Sequence, residues 1–296
     1  MKKIMITGAS GLLGRALFNT FSDHFEVIGT AFSRASEPLV PLNLTDFRAL
    51  EDFLITHKPH YLIHAAAERR PEVCLENPEL TQQLNVSLPT ALANLCHQHQ
   101  VELFFISSDY VFDGTSPPYA ETAQPAPLND YGISKYQAEQ AVLAYPQHNV
   151  VRIPVLYGAV EKIDESALTI TWQQLIQSNA PKMDNWAVRY PTHVDDIAKT
   201  LKAIITQLDK SERGGVFHIS DTTPYTKFQL ACALADAFGY DKSQITAMDS
   251  AVGQAARPQN CQLSDNRLAK KGILYQRDAI KALIEAVRPF VKQPEV

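Results

Sequence analysis

The sequence predicts an α/β protein built on a doubly wound parallel sheet, with a smaller C-terminal lobe. In the first half of the chain, short runs of β-branched or aromatic residues alternate with longer amphipathic stretches. Continuous apolar strands that alternate with helices are typical of a parallel sheet covered on both faces. The second half is less regular and is interrupted by prolines, which indicates a lobe beside the sheet.

The elements follow from this pattern in chain order. Strands are predicted at residues 3–7, 25–30, 61–65, 101–107, 149–154 and 215–220. Helices are predicted at residues 11–20, 78–99, 131–145, 197–205, 227–238 and 277–287. No linker separates two independent domains. We therefore assign residues 1–157 and 193–219 to the sheet domain, and residues 158–192 and 220–296 to the lobe.

The composition limits the classes of partner and compartment. The net charge of −5 argues against a nucleic acid or an anionic membrane as the partner. The first apolar run ends at Gly8, too soon for a signal peptide, and no apolar stretch approaches the roughly 20 residues that span a bilayer. The cysteines form no Cys-x-x-Cys pair, which fits reduced thiols. We therefore expect a cytoplasmic protein.

Three glycines lie where the first strand turns into the first helix. Gly8 permits the tight turn, Gly11 lets the backbone approach a pyrophosphate, and Gly14 lets helix and strand pack closely. The free N–H groups of the helix N-terminus favour a bound phosphate. This G-x-x-G-x-x-G spacing, in a strand–turn–helix context, predicts a Rossmann-type dinucleotide site. The same segment contributes Ser10, Leu12 and Leu13.

The end of the second strand indicates which dinucleotide binds. A protein that binds NAD usually offers a carboxylate to the ribose hydroxyls there. Residues 31–34 contain no acidic residue and end in Ser33 and Arg34, and an arginine attracts a 2′-phosphate. We therefore favour NADP(H) over NAD(H), which stays the alternative. Arg34 as a solvated loop residue is the competing interpretation.

Small residues follow the third predicted strand. Ala65 and Ala66 allow a dinucleotide to lie close to the sheet edge, and the preceding His64 is expected to pack inside. Arg69 and Arg70 follow at the carboxyl end of the same strand, where open α/β sheets bind ligands. Two interpretations are equally consistent with the sequence: the arginines contact a ligand, or both are solvated.

A phenol and an amine lie four residues apart on one predicted helix face, at Tyr131 and Lys135. Reduction of a carbonyl needs a proton donor, and a nearby ammonium lowers the pKa of a phenol. Ser108 follows the preceding predicted strand, where its hydroxyl can hydrogen-bond a substrate carbonyl as charge develops. Lys135 can also hold the nicotinamide ribose, and Asn85 is placed to reach Lys135 through water. These residues predict a carbonyl reductase site.

No metal is predicted as a requirement. His193, Asp195 and Asp196 stand together, but the aspartates fit charges that complement the dipole at the start of the following helix. His97 and His99 lie at a helix end and do not complete a set of metal ligands.

The same residues carry a resemblance to a known family. The chain resembles the extended short-chain dehydrogenase/reductases, and among them the dTDP-4-dehydrorhamnose reductase family, over essentially its whole length. The resemblance rests on residues 8–14, 107–114, 127–129, 131–132, 135 and 257–258. It implies NADPH- or NADH-dependent reduction of a dTDP-linked 4-keto sugar at C4, with Ser108, Tyr131 and Lys135 as catalytic residues. The implied substrate contacts are Asp109, Tyr110, Val111, Phe112, Tyr157 and Arg257.

Within that family the chain is similar to the branch that contains the regulatory β subunit of methionine adenosyltransferase. The similarity lies in residues 66–72, 152–158, 183–186 and 190–194. Members of this branch keep the reductase fold and bind NADP, but serve as partners of a catalytic enzyme. We favour a reductase of a nucleotide-linked sugar in dTDP-L-rhamnose synthesis. The alternative is an NADP-binding subunit of methionine adenosyltransferase without turnover, and a homodimer is compatible with the reductase.

Overall fold

The structure is a computed structural model that describes residues 1–251 and 253–291. Residues 252 and 292–296 of the predicted lobe lie outside the described residues. The strands are β1 (Lys3–Thr7), β2 (Glu26–Ala31), β3 (Val40–Pro41), β4 (Tyr61–His64), β5 (Glu102–Ser108), β6 (Asn149–Ile153), β7 (Leu156–Tyr157), β8 (Lys182–Asp184), β9 (Val188–Arg189), β10 (Thr192–His193), β11 (Gly215–His218), β12 (Tyr225–Thr226) and β13 (Thr246–Met248). The helices are α1 (Leu12–Phe21), α2 (Phe47–His57), α3 (Pro71–Glu76), α4 (Pro78–Thr81), α5 (Leu88–Gln98), α6 (Asp130–Leu143), α7 (Thr169–Ile176), α8 (Val194–Gln207), α9 (Lys227–Phe238) and α10 (Ala279–Val287).

One parallel sheet of seven strands organises the molecule, in the order β11-β6-β5-β4-β1-β2-β3. The chain proceeds from β1 to β2 and β3 on one side, and then returns to β4, β5, β6 and β11 on the other. The direction of winding reverses beside β1. Open α/β sheets bind ligands in the crevice at such a reversal, outside the carboxyl ends of the strands. The predicted doubly wound parallel sheet is confirmed.

Helices cover both faces of the sheet. Ile4 and Ile6 of β1 pack in the apolar cluster that includes residues of α1 and α8, whereas Met5 packs with residues of α2, α5 and α6. This division follows from the strand geometry, because successive side chains point to opposite faces. Every residue of β4, β5 and β6 is buried. The continuous apolar runs in the sequence are therefore strands covered on both sides.

The lobe has an apolar core of its own. Trp172 of α7, Met183 of β8, Leu234 of α9 and Leu283 of α10 are buried in one cluster. Three two-stranded sheets, β10-β7, β12-β9 and β13-β8, accompany these helices. Arg277, just before α10, connects the lobe to the sheet domain. It donates to both oxygens of Asp196 in α8, at 2.7 and 2.6 Å.

The structure differs from the predicted elements chiefly between residues 78 and 99. The single helix predicted there is divided: α4 leads into a π-helix at Gln82–Ser87, and α5 follows. Pro89 has no N–H to donate to the carbonyl of residue 85, so a regular α-helical bond is missing at that point. The remaining predicted elements are present, with ends displaced by a few residues at most. The edge strand β3, the helices α2, α3 and α7, and the short strands of the two-stranded sheets were not predicted; these strands are β7, β8, β9, β10, β12 and β13.

Candidate active site

The glycine loop between β1 and α1 has the shape that the sequence predicts. Gly8 has a φ of +71°, and a Cβ at Gly14 would lie 2.1 Å from the Gly8 carbonyl oxygen. Both positions therefore require glycine. At Gly11, a Cβ would have one neighbouring atom within 4 Å among the described residues, the Gly8 carbonyl oxygen at 3.3 Å. Among the described residues, no side chain caps the N-terminus of α1. The first N–H groups of α1 are thus available to an anion, so the loop fits a dinucleotide pyrophosphate.

The small residues after β4 lie against this loop. A Cβ at Gly8 would be 2.9 Å from the Ala66 nitrogen, and the Ala65 N–H donates to the Thr7 carbonyl at 3.3 Å. His64 is buried, with its Nδ1 2.7 Å from Thr7 Oγ1. Burial lowers the pKa of His64 to about 3, so this imidazole is neutral at physiological pH.

Asn85 lies in the π-helix and fixes the loop that follows β4. Its Nδ2 donates to the Glu68 carbonyl at 2.9 Å, and its Oδ1 accepts from the Glu68 N–H at 2.9 Å. Nδ2 also donates to Ser134 Oγ at 3.2 Å. The sequence predicts a water bridge from Asn85 to Lys135. In the structure the Asn85 amide binds the loop and Ser134, which precedes Lys135 in α6.

Arg34, the predicted partner of a 2′-phosphate, has a protein partner for which the sequence carries no signal. Its Nη1 donates to Glu165 Oε1 at 3.0 Å, and Glu165 belongs to the 3₁₀ turn Ile163–Glu165 before α7. Arg15 of α1 donates to the two oxygens of the same carboxylate, at 3.1 and 2.7 Å. Burial would raise the pKa of Glu165, but the hydrogen bonds it receives, above all from Arg15, hold it at about 2. Ser33 is exposed beside Arg34.

The first turn of α6 packs closely against the residues that follow β5. Asn129 accepts the Gly132 N–H at 2.9 Å and thereby caps the helix. A Cβ at Gly132 would lie 2.2 Å from the Tyr110 carbonyl oxygen, so only glycine permits this close approach. The approach brings Tyr131 beside Tyr110, with ring centroids 5.9 Å apart in an edge-to-face arrangement.

Ser108 and Tyr131 lie together at the carboxyl end of β5. Burial raises the pKa of Tyr131, and the nearby Ser108 side chain opposes this increase. The Ser108 hydroxyl also donates to Asp109 Oδ1 at 3.1 Å. The sequence predicts that Lys135 lowers the pKa of Tyr131. The structure shows a raised pKa instead, because the loss of water around the phenol dominates.

Lys135 lies one helical turn after Tyr131, at the floor of the site. Its ammonium donates to the Ile106 carbonyl at 2.7 Å and lies 4.1 Å from the centroid of the Phe105 ring. Burial lowers the pKa of Lys135 to about 7, against the opposing effect of Glu139. The amine is therefore close to its titration point at neutral pH, which suits a group that responds to the charge of a bound ligand.

A buried ion pair lies one turn further along α6, and the sequence carries no signal for it. Arg152 Nε and Nη2 donate to the two oxygens of Glu139, at 2.9 and 2.6 Å. Ser107 Oγ donates to Glu139 Oε1 at 2.5 Å. The side chains of Arg152 and Glu139 are 3% and 1% exposed. This pair ties α6 to β5 and β6 directly beneath the site.

Asp109, Tyr110 and Arg189 form the side of the site that faces the lobe. Burial raises the pKa of Asp109 to about 6, although Arg189 opposes this increase. Arg189 Nη2 donates to the Tyr110 hydroxyl at 3.2 Å, and Nη1 donates to the Pro258 carbonyl at 3.0 Å. Burial would lower the pKa of Arg189, but Tyr110 and Asp109 raise it. A cation for which the sequence carries no signal thus lies among the predicted substrate contacts.

Three predicted substrate contacts have buried side chains. Val111 and Phe112 are fully buried in a small cluster, and Phe112 stacks on Tyr119 with centroids 4.1 Å apart. Tyr157 is 1% exposed and packs edge-to-face on His193, with centroids 5.0 Å apart. Their size and apolar character place these side chains in the core. Arg257 is partly exposed and pairs with Glu72, at 2.5 Å.

The structure also bears on metals and membranes. Among the described residues, no cluster of three or more histidine, cysteine or acidic side chains could hold a metal ion. Asp195 and Asp196 lie in the first turn of α8, and His193 caps that helix by accepting the Asp195 N–H at 3.1 Å. Within residues 1–251 and 253–291, no helix is long and apolar enough to cross a membrane. All four cysteines are free thiols.

A doubly wound sheet with a glycine loop, and with Ser108, Tyr131 and Lys135 at its carboxyl edge, defines the class of extended short-chain dehydrogenase/reductases. Comparison with known families narrows this class. Residues 1–291 match the RmlD substrate binding domain family, and the chain belongs to that family.

Individual relatives point in two directions. Methionine adenosyltransferase 2 subunit beta of Bos taurus is 41% identical over 299 residues, which cover 98% of this chain and 88% of that protein. The solved dTDP-4-dehydrorhamnose reductase of Clostridium acetobutylicum is 26% identical with a TM-score of 0.84, covering 97% of this chain and 99% of that one. The Bacillus anthracis dTDP-4-dehydrorhamnose reductase, solved in complex with NADP, shares the fold: 24% identity, a TM-score of 0.83, and 98% and 99% coverage. The predicted family and branch are confirmed.

Proposed function

We propose that this protein is an NADP(H)-dependent reductase that converts a ketone on a nucleotide-linked sugar into an alcohol. The observation that carries this proposal is the position of Ser108, Tyr131 and Lys135. Ser108 ends β5, Tyr131 and Lys135 lie one turn apart in α6, and the Lys135 ammonium donates to the Ile106 carbonyl of β5. The carboxyl end of β5 belongs to the same edge of the parallel sheet as the uncapped glycine loop after β1. The solved reductase in complex with NADP supports the choice of dinucleotide, as does the absence of an acidic residue at positions 31–34.

The chain itself supplies binding groups and a proton. The glycine loop and the first turn of α1 hold the pyrophosphate, Arg34 holds the 2′-phosphate, and Lys135 holds the nicotinamide ribose. When bound, NADPH supplies the hydride. Tyr131 donates its phenolic proton to the carbonyl oxygen, and the Ser108 hydroxyl stabilises the charge that develops on that oxygen. The raised pKa of Tyr131 keeps the phenol protonated before reaction.

Cationic side chains of the lobe favour a substrate with a diphosphate. Arg189 lies beside Tyr110, and Arg257 lies close enough to Lys227 to lower the pKa of that amine further, after the larger effect of burial. Guanidinium groups are well suited to bind phosphate oxygens, and Arg257 keeps Glu72 as its protein partner, so a nucleoside diphosphate would add a second anion to this group. We therefore propose a dTDP-linked 4-keto sugar, as in dTDP-L-rhamnose synthesis, with Tyr110 and Arg189 as sugar-side contacts.

The direct test is NADPH oxidation with dTDP-4-dehydro-6-deoxy-L-mannose. We expect Tyr131→Phe to lower kcat about 10²–10⁴-fold, the usual contribution of a general acid, while NADPH affinity changes less than about twofold. Tyr136→Phe is the matched control, because it removes a phenol from the same helix, outside the Ser108–Tyr131 pair. Retained NADPH binding without turnover in the wild-type protein would exclude this substrate.

A second function is favoured by the identity of 41% to methionine adenosyltransferase 2 subunit beta. Under this alternative the same crevice binds NADP(H), and the protein acts by binding the catalytic subunit of methionine adenosyltransferase. The test is size-exclusion chromatography of the two proteins mixed at micromolar concentration, with and without NADPH. Co-elution together with an absence of sugar reduction would select the second function, and separate elution would reject it.

A further inference from the structure

Three arginines from separate segments of the cofactor edge converge on Glu165. Arg15 follows the glycine loop, Arg34 follows β2 and Arg69 follows β4. Arg15 and Arg34 bind the Glu165 carboxylate, and Arg69 Nη2 donates to the Glu165 carbonyl at 2.9 Å. Glu165 itself comes from the opposite side of the crevice, between β7 and α7.

This convergence matters because of what Arg34 is expected to bind. The second strand ends without a carboxylate, and Arg34 is the cation that would attract a 2′-phosphate there. The structure nevertheless brings a carboxylate to this position from a distant segment. Glu165 Oε1 is 3.0 Å from Arg34 Nη1, and the Glu165 side chain is only 9% exposed.

We propose that Glu165 is a determinant of cofactor preference: its carboxylate competes with the 2′-phosphate of NADP(H) for Arg34. The inference rests on the proposed binding of a dinucleotide at the glycine loop. Glu165 therefore reduces the preference for NADP(H) over NAD(H) below the level that Arg34 alone would give.

The geometry explains why Glu165 stays in place when a ligand arrives. Arg15 holds the carboxylate through two hydrogen bonds, and the Glu161 N–H donates to Glu165 Oε2 at 2.9 Å. Arg34 contributes one hydrogen bond, and its side chain is 50% exposed. A 2′-phosphate must therefore draw Arg34 away from a carboxylate that remains nearby, and the two anions repel each other. The uncharged 2′-hydroxyl of NAD(H) meets no such penalty.

The test compares the dissociation constants of NADPH and NADH, measured by titration of nicotinamide fluorescence, for the wild-type protein and for Glu165→Gln. We expect Glu165→Gln to bind NADPH about three- to fivefold more tightly, the upper part of the range for a partly exposed charge interaction. NADH affinity should change less than about twofold. The matched control is Glu161→Gln, which removes an equal charge from the same segment. Its carboxylate lies 3.5 Å from Arg15 and is 63% exposed, and neither dissociation constant should change by more than about twofold.

A double substitution identifies Arg34 as the group for which the two anions compete. In an Arg34→Ala background, Glu165→Gln should improve NADPH binding clearly less than in the wild-type background, because only the direct repulsion between the two anions is then relieved. An improvement of equal size in that background would overturn the inference in favour of a general charge effect.

Other outcomes separate this inference from the proposed function. If wild-type protein binds NADPH, but Glu165→Gln leaves the ratio of the two dissociation constants unchanged or weakens NADPH binding, the inference fails and the proposed function stands. If wild-type protein binds neither dinucleotide, the proposed function fails and the inference fails with it.

Discussion

Two carboxylates of this protein each receive hydrogen bonds from arginine, but the arginines differ in their exposure to solvent. Glu139 is bound by Arg152 inside the molecule, where the two side chains are 1% and 3% exposed. Glu165 is bound by Arg15 and Arg34 at the rim of the crevice, where the two arginines are 22% and 50% exposed. The residue types and distances are similar in the two clusters, so the burial of the arginines is the main difference between the clusters.

That difference separates a group that maintains the fold from a group that can exchange partners. An ion pair without access to water has no substitute for a lost partner, so removal of one member leaves a buried charge. A rim arginine can exchange a carboxylate for water or for a ligand phosphate at little cost. The buried pair therefore belongs to the structure beneath the site, and the rim arginines are available for recognition.

The largest expected effect follows from removing the buried cation. Arg152→Met should lower the free energy of unfolding by about 3–5 kcal/mol, because Glu139 would keep a buried charge without its arginine. Urea denaturation followed by circular dichroism measures this change. The double variant Arg152→Met with Glu139→Met should recover much of the loss, since both charges are then absent. A loss below about 1 kcal/mol in the single variant would show that the pair is no more important than a surface pair.

A second expectation concerns the pH dependence of stability near the same helix. Burial holds the pKa of Lys135 at about 7 in the folded protein, whereas an unfolded lysine titrates near 10.4. Between these values the unfolded chain binds more protons, so the free energy of unfolding should rise with pH, by up to about 1.4 kcal/mol per pH unit. Below pH 7 the lysine is protonated in both states and adds no slope.

The measurement is urea unfolding at pH 7, 8 and 9 for wild type and for Lys135→Met. The free energy of unfolding of wild type, minus that of Lys135→Met, should increase as pH rises. The other titrating groups are the same in both proteins, so their contributions cancel in this difference. A difference that stays constant over this range would mean that the folded-state pKa of Lys135 is close to that of an exposed lysine, and that the floor of the site is hydrated.

The sequence predicts the sheet and the glycine loop well, because both depend on local patterns. A buried parallel strand is a continuous apolar run. Gly8 is required by its own positive φ, and Gly14 by contacts within the same strand–turn–helix unit. The rim cluster depends instead on a contact between Arg34 and Glu165, which are 131 positions apart. No periodicity or spacing reports such a contact, since it arises only when the lobe meets the sheet edge.

The predicted substrate contacts show the same limit. A motif places Val111 and Phe112 near the site but cannot state which side chains turn inward, and the structure buries both. The role of Arg189 could not be predicted from the sequence either, because its contact with Tyr110 joins residues 79 positions apart. The family could therefore be predicted from the sequence, whereas the arrangement of Arg189 and Tyr110 required the structure.

An intermediate loss of stability is expected for Arg277, because its ion pair is more exposed than that of Arg152 and less exposed than that of Arg34. Arg277 is 30% exposed, and its partner Asp196 is 6% exposed. Arg277→Met should lower the free energy of unfolding by about 1.5–3 kcal/mol, the range for hydrogen bonds to charged groups. Lys281→Met serves as the control, because it removes an exposed cation one turn later in the chain. Equal losses in the two variants would contradict a dependence on burial.

The smallest effect is expected for the rim arginine that the proposed function uses most. Arg34→Ala should change the free energy of unfolding by only about 0.2–1 kcal/mol at low ionic strength, and by less in 1 M salt, because its ion pair is half-exposed and Arg15 still neutralises Glu165. The same variant should weaken NADPH binding while leaving NADH binding nearly unchanged. Thermal unfolding at two salt concentrations and titration of both dinucleotides measure these effects. A stability loss as large as that of Arg152→Met would mean that Arg34 maintains the fold, and burial would then no longer distinguish the two clusters.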